Sequence, residues 1–197
     1  MTTFRSEPFL WIHLSGIAVV PLALLIMAGG LAIGTPLTPY GLELIFLVAI
    51  AWLPIMVMQW FRPFEIFSLL IVAIRPSSLT ESQRRVLALF KQPKQQWVTL
   101  LGGLLSLALL WGVYLYAPIF YALVVNLPQI RLLGLLTAAI AYLMANLFLQ
   151  VPLSVLGVLL TPQANYEASS PVEPETIPKF FTVPGIKLRQ FPLLIKP

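Results

Sequence analysis

Apolar residues fill long stretches of the chain, and charged residues are confined to the segments between them. Four stretches contain no Asp, Glu, Lys or Arg, and they cover residues 8–42, 44–61, 95–130 and 132–166. Since a helix rises about 1.5 Å per residue, roughly 20 apolar residues cross a bilayer core of about 30 Å. The pattern therefore predicts an all-α integral membrane protein with four transmembrane helices, at about residues 9–33, 42–60, 97–117 and 130–160.

The basic loop between the second and third predicted spans, residues 61–96, contains two shorter elements. Its apolar run at 66–74 is too short to cross a bilayer, which indicates an interfacial or re-entrant segment. Thr80 and Gln83 have the spacing of a capping box. We therefore expect an amphipathic helix over 78–90, with its apolar side chains on one face.

The composition changes at residue 161. Seven of the last 37 residues are proline, and a proline-rich stretch cannot supply a continuous ladder of amide hydrogen bonds. The sequence thus predicts a transmembrane domain over 1–160 and a flexible tail over 161–197. Towards the end of the tail, apolar and basic residues alternate, and Phe180 and Phe181 are candidate contacts to a partner or to the membrane surface.

Composition supports a membrane protein, because 59% of the 197 residues are hydrophobic and only 10% are charged. A soluble domain of this size carries about 25% charged residues. Eleven of the twelve Lys and Arg residues fall at the N-terminus, in the basic loop or in the tail. The positive-inside rule then predicts that both termini and the loop are cytoplasmic. Basic residues beside apolar segments favour contact with anionic membrane lipids and not with nucleic acid.

The chain lacks the residues that most catalytic and metal sites require. It has no Cys and no Asp, its one histidine is His13, and no paired intramembrane carboxylates, phosphate-binding loop or metalloprotease motif is present. We therefore expect a protein that is not an enzyme and has no metal site.

His13 is the one residue that suggests a cofactor. It lies about one turn inside the first predicted span, where a neutral imidazole can ligate the magnesium of chlorophyll. The alternative is an interfacial histidine that bonds to water or to a neighbouring carbonyl. The sequence leaves both interpretations open and favours the second.

Polar and small residues within the spans suggest helix contacts. Asn146 and Gln150 lie one turn apart in the fourth span, where they can bond to a partner or to helices of this chain. Glu43 at the start of the second span is interpreted as a helix-start residue favoured by the dipole, and the alternative is a carboxylate on an ion path. Small residues recur every four positions in the first, third and fourth spans, which indicates close packing within the chain or docking on another membrane protein.

Three arginines of the basic loop, Arg62, Arg84 and Arg85, are candidate contacts to a partner on the cytoplasmic side. The alternative for the Arg84–Arg85 pair is an anchor to anionic lipid.

Four segments resemble a known family. Residues 6–14 (SEPFLWIHL), 59–69 (QWFRPFEIFSL), 83–85 (QRR) and 146–152 (NLFLQVP) are similar to those of the cyanobacterial low-complexity tail membrane proteins. The resemblance covers residues 6 to about 160 and brings no known activity to transfer. It implies a thylakoid setting and an accessory or assembly role for a photosynthetic complex, photosystem II in particular.

Three functional hypotheses follow. The first is a non-enzymatic assembly or stability factor that contacts photosystem subunits through its helices and its cytoplasmic side. The second is a small transporter or channel subunit, which needs polar groups along a path through the bilayer. The third is a pigment-binding subunit that holds chlorophyll through His13.

Overall fold

The computed structural model describes residues 4–39, 41–69 and 71–188. Four helices within these ranges are long and apolar enough to cross a membrane. They are span 1 (Pro8–Ala32), span 2 (Gly41–Phe61), span 3 (Pro93–Val124) and span 4 (Arg131–Leu159). The predicted four-helix membrane architecture is confirmed, with span 3 extending seven residues further than predicted through a 3-10 turn at Ala117–Phe120 and a short helix at Tyr121–Val124.

The remaining elements lie outside the spans. They include one longer helix, Glu81–Phe90. The others are 3-10 turns at Phe4–Ser6 and Pro76–Ser78 and short helices in the tail at Gln163–Glu167 and Ile177–Phe180. Three short strands are β1 (Ser68–Leu69), β2 (Val72–Ile74) and β3 (Ile186–Leu188). The helix Glu81–Phe90 begins with the predicted capping box, since Thr80 accepts from the Gln83 amide and the Gln83 side chain accepts from the Thr80 amide.

Two spans contain irregular turns just before a proline. Span 1 passes through a 3-10 turn at Gly16–Ala18 ahead of Pro21, and span 2 through a π-helical turn at Val48–Trp52 ahead of Pro54. Proline has no N–H to donate to the preceding turn, so the backbone adjusts its hydrogen bonding there. Both helices continue beyond the proline.

Spans 1 and 4 approach each other at a pair of glycines. A β-carbon placed on Gly30 would lie 2.8 Å from both the Gly134 carbonyl oxygen and the Ala138 nitrogen. These are backbone atoms, which cannot move aside as a flexible side chain can. Small residues at this crossing therefore allow the backbones to pack directly, as is typical of helices in membranes.

The tail folds onto one end of the bundle, which differs from the flexible tail predicted over 161–197. Strand β2 pairs antiparallel with β1 and parallel with β3 of the tail. Ile177 and Phe181 are fully buried in a cluster with Phe67 and Leu87. The physical reason is that these tail residues gain partners distant in sequence, which a local count of prolines does not reveal. Residues 189–197, including the predicted apolar and basic alternation after Leu188, lie outside the described residues.

The run at 66–74, predicted from its length to be an interfacial or re-entrant segment, contains two strands, and its position relative to a membrane stays a prediction. It forms the β1–β2 hairpin, whose amide groups bond across the strands and to β3. We call the folded unit made by residues 62–92 and 161–188 the cap, and the end of the bundle that carries it the basic end. Arg5 near the N-terminus donates to the Leu159 and Thr161 carbonyls, so the start of the described chain is tied to the end of span 4.

Candidate functional site

An apolar cavity of about 300 Å³ lies beside His13, between spans 1 and 4 and the loop that leads into β1. Its walls include Ile12 and Gly16 of span 1, Phe64 of the loop, and Ile71 between β1 and β2. Span 4 contributes the residues Leu147, Phe148, Val151 and Pro152. The lining is almost entirely hydrocarbon, so the cavity suits an apolar group.

The His13 ring is held by two carbonyl groups of the protein. Its Nδ1 lies 2.9 Å from the Phe9 carbonyl oxygen, and its Nε2 lies 3.0 Å from the Ser68 carbonyl oxygen. A magnesium ligand needs a nitrogen lone pair directed at the metal, but here both nitrogens face oxygen atoms. The arrangement does not fit chlorophyll ligation and fits a histidine that ties span 1 to the cap.

No group of three or more His, Asp or Glu side chains that could hold a metal ion lies together in residues 4–39, 41–69 and 71–188. The predicted lack of a metal site and of catalytic activity remains a prediction.

A stripe of buried polar side chains runs along span 4. Its members recur every four residues and face spans 2 and 3: Tyr142, Asn146, Gln150 and Ser154. Tyr142 and Ser106 of span 3 have hydroxyl oxygens 3.0 Å apart, and Gln59 of span 2 donates to the Ser154 hydroxyl at 3.1 Å. The four side chains are buried at helix contacts. The stripe thus links the fourth span to its neighbours.

Asn146 donates hydrogen bonds to backbone carbonyls of the irregular turn in span 2. Its Nδ2 donates to the Ala51 carbonyl at 3.4 Å and to the Trp52 carbonyl at 3.3 Å, inside the π-helical turn. Gln150 Nε2 donates to the Thr99 carbonyl of span 3 at 3.3 Å. Gly102 leaves room for the Gln150 side chain, because a β-carbon there would lie 2.9 Å from its Oε1. The sequence left bonding to a partner or to helices of this chain open, and both side chains are fully buried against helices of this chain, which does not fit their prediction as partner contacts.

We expect Asn146→Leu to destabilise the folded protein by about 1–2 kcal/mol, because two carbonyls of span 2 lose their donor inside the bundle. Reversible unfolding by SDS in mixed micelles measures this. Thr137→Val is the matched control, since Thr137 is exposed on the same span and its hydroxyl donates to the Leu133 carbonyl of its own helix. Equal stability of the Asn146 variant and wild type would contradict the assignment.

The three candidate arginines contact the tail. Arg62 donates to the Pro178 carbonyl at 2.6 Å, and Arg84 donates to the Val172 carbonyl at 3.2 Å. Arg85 pairs with Glu81 at 2.8 Å and donates to the Glu167 carbonyl at 3.1 Å. These contacts join the two segments of the cap, residues 62–92 and 161–188. Whether the same arginines also contact a partner stays a prediction.

The two candidate phenylalanines have different environments. Phe181 is fully buried in the cap, whereas Phe180 is half exposed. The Lys91 ammonium lies 5.3 Å from the centre of the Phe180 ring and 5.6 Å from that of Phe181, within the range of cation–π contacts. Phe180 is therefore the one of the two that can still meet a partner.

At the opposite end of the bundle, Glu43 forms a buried ion pair with Arg131. Glu43 is fully buried and also accepts from the Leu37 amide at 2.8 Å and from the Tyr114 hydroxyl at 3.2 Å. Arg131 in turn donates to the Leu31 carbonyl at 2.7 Å. The cluster joins all four spans. The sequence interpretation of Glu43 as a dipole-favoured helix start missed this pairing, although these are the two charges on that side.

An open groove of about 420 Å³ separates spans 1 and 3 on the outside of the bundle. Span 1 contributes Pro21, Leu24, Leu25 and Ala28, and span 3 contributes residues that include Ala108, Gly112 and Tyr116. A β-carbon on Gly112 would meet no atom of the described residues within 4 Å. Of the small-residue faces predicted from sequence, those at Gly30, Gly102 and Gly134 are filled within the chain. The face at Gly112 is open.

These features define the class of an α-helical polytopic membrane protein with a folded cap at one end. The chain belongs to the low-complexity tail membrane protein-like family, whose model matches residues 6–193. The family resemblance inferred from four sequence segments is thus confirmed and extends into the tail. Comparison with curated proteins and with solved structures gives no match.

Proposed function

We propose that this protein is a non-enzymatic accessory or assembly factor of a photosynthetic membrane complex, photosystem II in particular. It acts in the thylakoid membrane with its basic end on the cytoplasmic side. The thylakoid setting rests on what the sequence resemblance implies. The orientation rests on the concentration of Lys and Arg at the end that carries the cap.

The observation that carries the proposal is the open groove at Gly112. Ala108 and Gly112 lie one turn apart on span 3, and small residues at this spacing let a second helix approach closely. Packing between helices in lipid depends on such close contact, since apolar character alone does not favour protein over lipid. The occupant is a transmembrane helix of the partner complex, lying against spans 1 and 3.

The polar residues within the bundle support this proposal over a transporter or channel subunit. A transport path needs polar groups that line a continuous aqueous route. Asn146 and Gln150 instead bond to carbonyls of spans 2 and 3 and are fully buried.

Gly112→Trp should fill the groove and reduce recovery of the partner complex at least tenfold when the tagged protein is purified from mildly solubilised membranes. Mass spectrometry and an absorption spectrum of the eluate identify and quantify the complex. Leu104→Trp is the matched control, because Leu104 is exposed on the same span and does not line the groove. It should leave recovery unchanged.

Two outcomes would overturn the proposed function. One is recovery of the wild-type protein alone and without pigment under these conditions. The other is a gene deletion that leaves the abundance of every photosynthetic complex unchanged. Equal recovery with Gly112→Trp and Leu104→Trp would overturn the groove as the contact while leaving the assembly role standing.

A further inference from the structure

A second cavity, of about 300 Å³, lies at the basic end between the end of span 2 and the start of span 3. Its wall combines amides and aromatic rings with one ammonium group, from Trp60, Phe61, Lys91, Gln92, Gln95 and Gln96. The cavity beside His13 has a similar volume but an apolar wall. Polar lining is unusual in a chain with 10% charged residues, and it indicates a polar ligand.

The cavity lies at the level where lipid headgroups are expected. Trp60 and Phe61 end span 2, and Gln95 and Gln96 belong to the first turn of span 3. Tryptophan at the end of a span marks the boundary between hydrocarbon and headgroups. A ligand held between these residues has its polar part in the headgroup layer and any hydrocarbon part along the spans.

Lys91 lines this cavity, and Arg62 is close enough for its charge to act on Lys91. Lys91 Nζ donates to the Phe61 carbonyl at 3.0 Å, and Arg62 donates to the Pro178 and Phe181 carbonyls. In the part of the chain that the structure describes, neither forms an ion pair. Burial, and secondarily the charge of Arg62, lower the pKa of Lys91 from its ordinary value. An anion beside Lys91 would stabilise the charged ammonium against both effects.

The Lys91 ammonium donates one hydrogen bond within the described residues. It carries three N–H groups, of which one donates to the Phe61 carbonyl, and the Phe180 and Phe181 rings lie on another side of it. Gln96 is exposed at the mouth of the cavity, and Gln92 is partly buried in its wall. Gln95 uses its Nε2 to donate to the Ser154 carbonyl at 3.2 Å.

We propose that this cavity binds the headgroup of an anionic membrane lipid. Lys91 contacts the acidic group, the carboxamides of Gln92 and Gln96 bond to the neighbouring ester or hydroxyl oxygens, and the acyl chains lie against Trp60 and Phe61. Basic pockets between transmembrane helices are a recurring form of lipid headgroup site. The site does not depend on which complex the protein assists.

The test is a lipid titration of the purified full-length protein in detergent micelles, followed by the midpoint temperature of unfolding. Phosphatidylglycerol should raise the midpoint in a saturable way, and phosphatidylcholine with the same acyl chains should not. Free inorganic phosphate at the same concentration should have no effect, which distinguishes a lipid headgroup from a free anion. Native mass spectrometry should show one retained phosphatidylglycerol.

Lys91→Gln should weaken the apparent affinity for phosphatidylglycerol at least fivefold. Lys187→Gln is the matched control, since it removes the same charge from exposed strand β3 and should leave the affinity unchanged. Lys91→Gln could also disturb the folding of the cap, so a second variant is needed. Gln96→Leu removes an exposed carboxamide that lines the cavity. It should weaken binding at least threefold. Equal affinity in Gln96→Leu, Lys187→Gln and wild type, or equal stabilisation by phosphatidylcholine, would overturn the site.

Discussion

Arg131→Met should destabilise the folded protein by about 3–5 kcal/mol, the range for leaving one member of a buried ion pair without its partner. The side chain of Glu43 is fully buried, and that of Arg131 is 11% exposed. In the variant, Glu43 keeps the Leu37 amide and the Tyr114 hydroxyl as donors but loses its cation. The Leu31 and Ile33 carbonyls lose their donor as well.

A second substitution distinguishes the lost charge pair from lost packing. Adding Glu43→Gln to Arg131→Met removes the uncompensated carboxylate, so the double variant should recover more than half of the lost stability. Arg131→Lys should give an intermediate loss, because a lysine offers a single point charge where the arginine contacts two carboxylate oxygens. SDS titration of the four proteins in mixed micelles measures the differences. A loss below about 1 kcal/mol in Arg131→Met would contradict this account.

The spans could be predicted because the bilayer imposes a length and a composition on each helix separately. Span 4, for example, begins at Arg131 and ends at Leu159, within a residue of the predicted bounds. The capping box at Thr80 and Gln83 is likewise local, since both partners lie within one helical turn. Features of this kind need no knowledge of what each element packs against.

The cap could not be predicted, because its contacts join segments that are distant in the sequence. Strand β3 pairs with β2 across more than a hundred residues, and Phe181 is buried by loop residues that precede it by a similar distance. Proline content led to the prediction of a flexible tail. It could not indicate that Ile177 and Phe181 have an apolar cluster to enter.

Among the candidate site residues, those whose role depends on local sequence could be predicted, and those whose role depends on contacts between distant segments could not. The sequence identified Asn146 and Gln150 as helix-contact residues, because an amide inside a span requires a partner. The sequence could not predict which groups the two His13 ring nitrogens contact, because the fold of the cap brings the Ser68 carbonyl to the ring. Glu43 was considered without Arg131, although Arg131 is the one basic residue outside the N-terminus, the basic loop and the tail, and its charge was the available signal for the pairing.

Glu65 makes the stability of the cap dependent on pH. It is fully buried on the loop before β1, where its amide donates to the Thr182 carbonyl of the tail at 3.0 Å. Its Oε1 accepts from the Phe67 amide at 3.2 Å, and its Oε2 has no partner among the described residues. Burial raises the pKa of Glu65 from its ordinary value of 4.5 to about 8, because the one amide bond lowers it by less.

The sign of the pH effect follows from these two values. Below pH 4.5 the carboxyl group is protonated in the folded and in the unfolded chain, and it contributes no difference. Between pH 4.5 and about 8 the unfolded chain releases the proton while the folded chain retains it, so stability falls as pH rises. Above about pH 8 the carboxyl group is ionised in both states, and the loss of folding stability no longer changes with pH. At about 1.4 kcal/mol for each pH unit, it reaches up to about 5 kcal/mol.

Glu65→Gln should therefore match the wild type near pH 4 and be more stable than it at pH 8.5, by up to about 5 kcal/mol. Midpoint temperatures of the two proteins between pH 4 and 9 measure this divergence. Glu81→Gln is the control at an exposed carboxylate, whose pKa is lowered by Arg85. Its loss removes a favourable interaction, so this variant should be slightly less stable than wild type above pH 4.5. Parallel curves for Glu65→Gln and wild type would mean that the folded chain does not retain this proton at neutral pH.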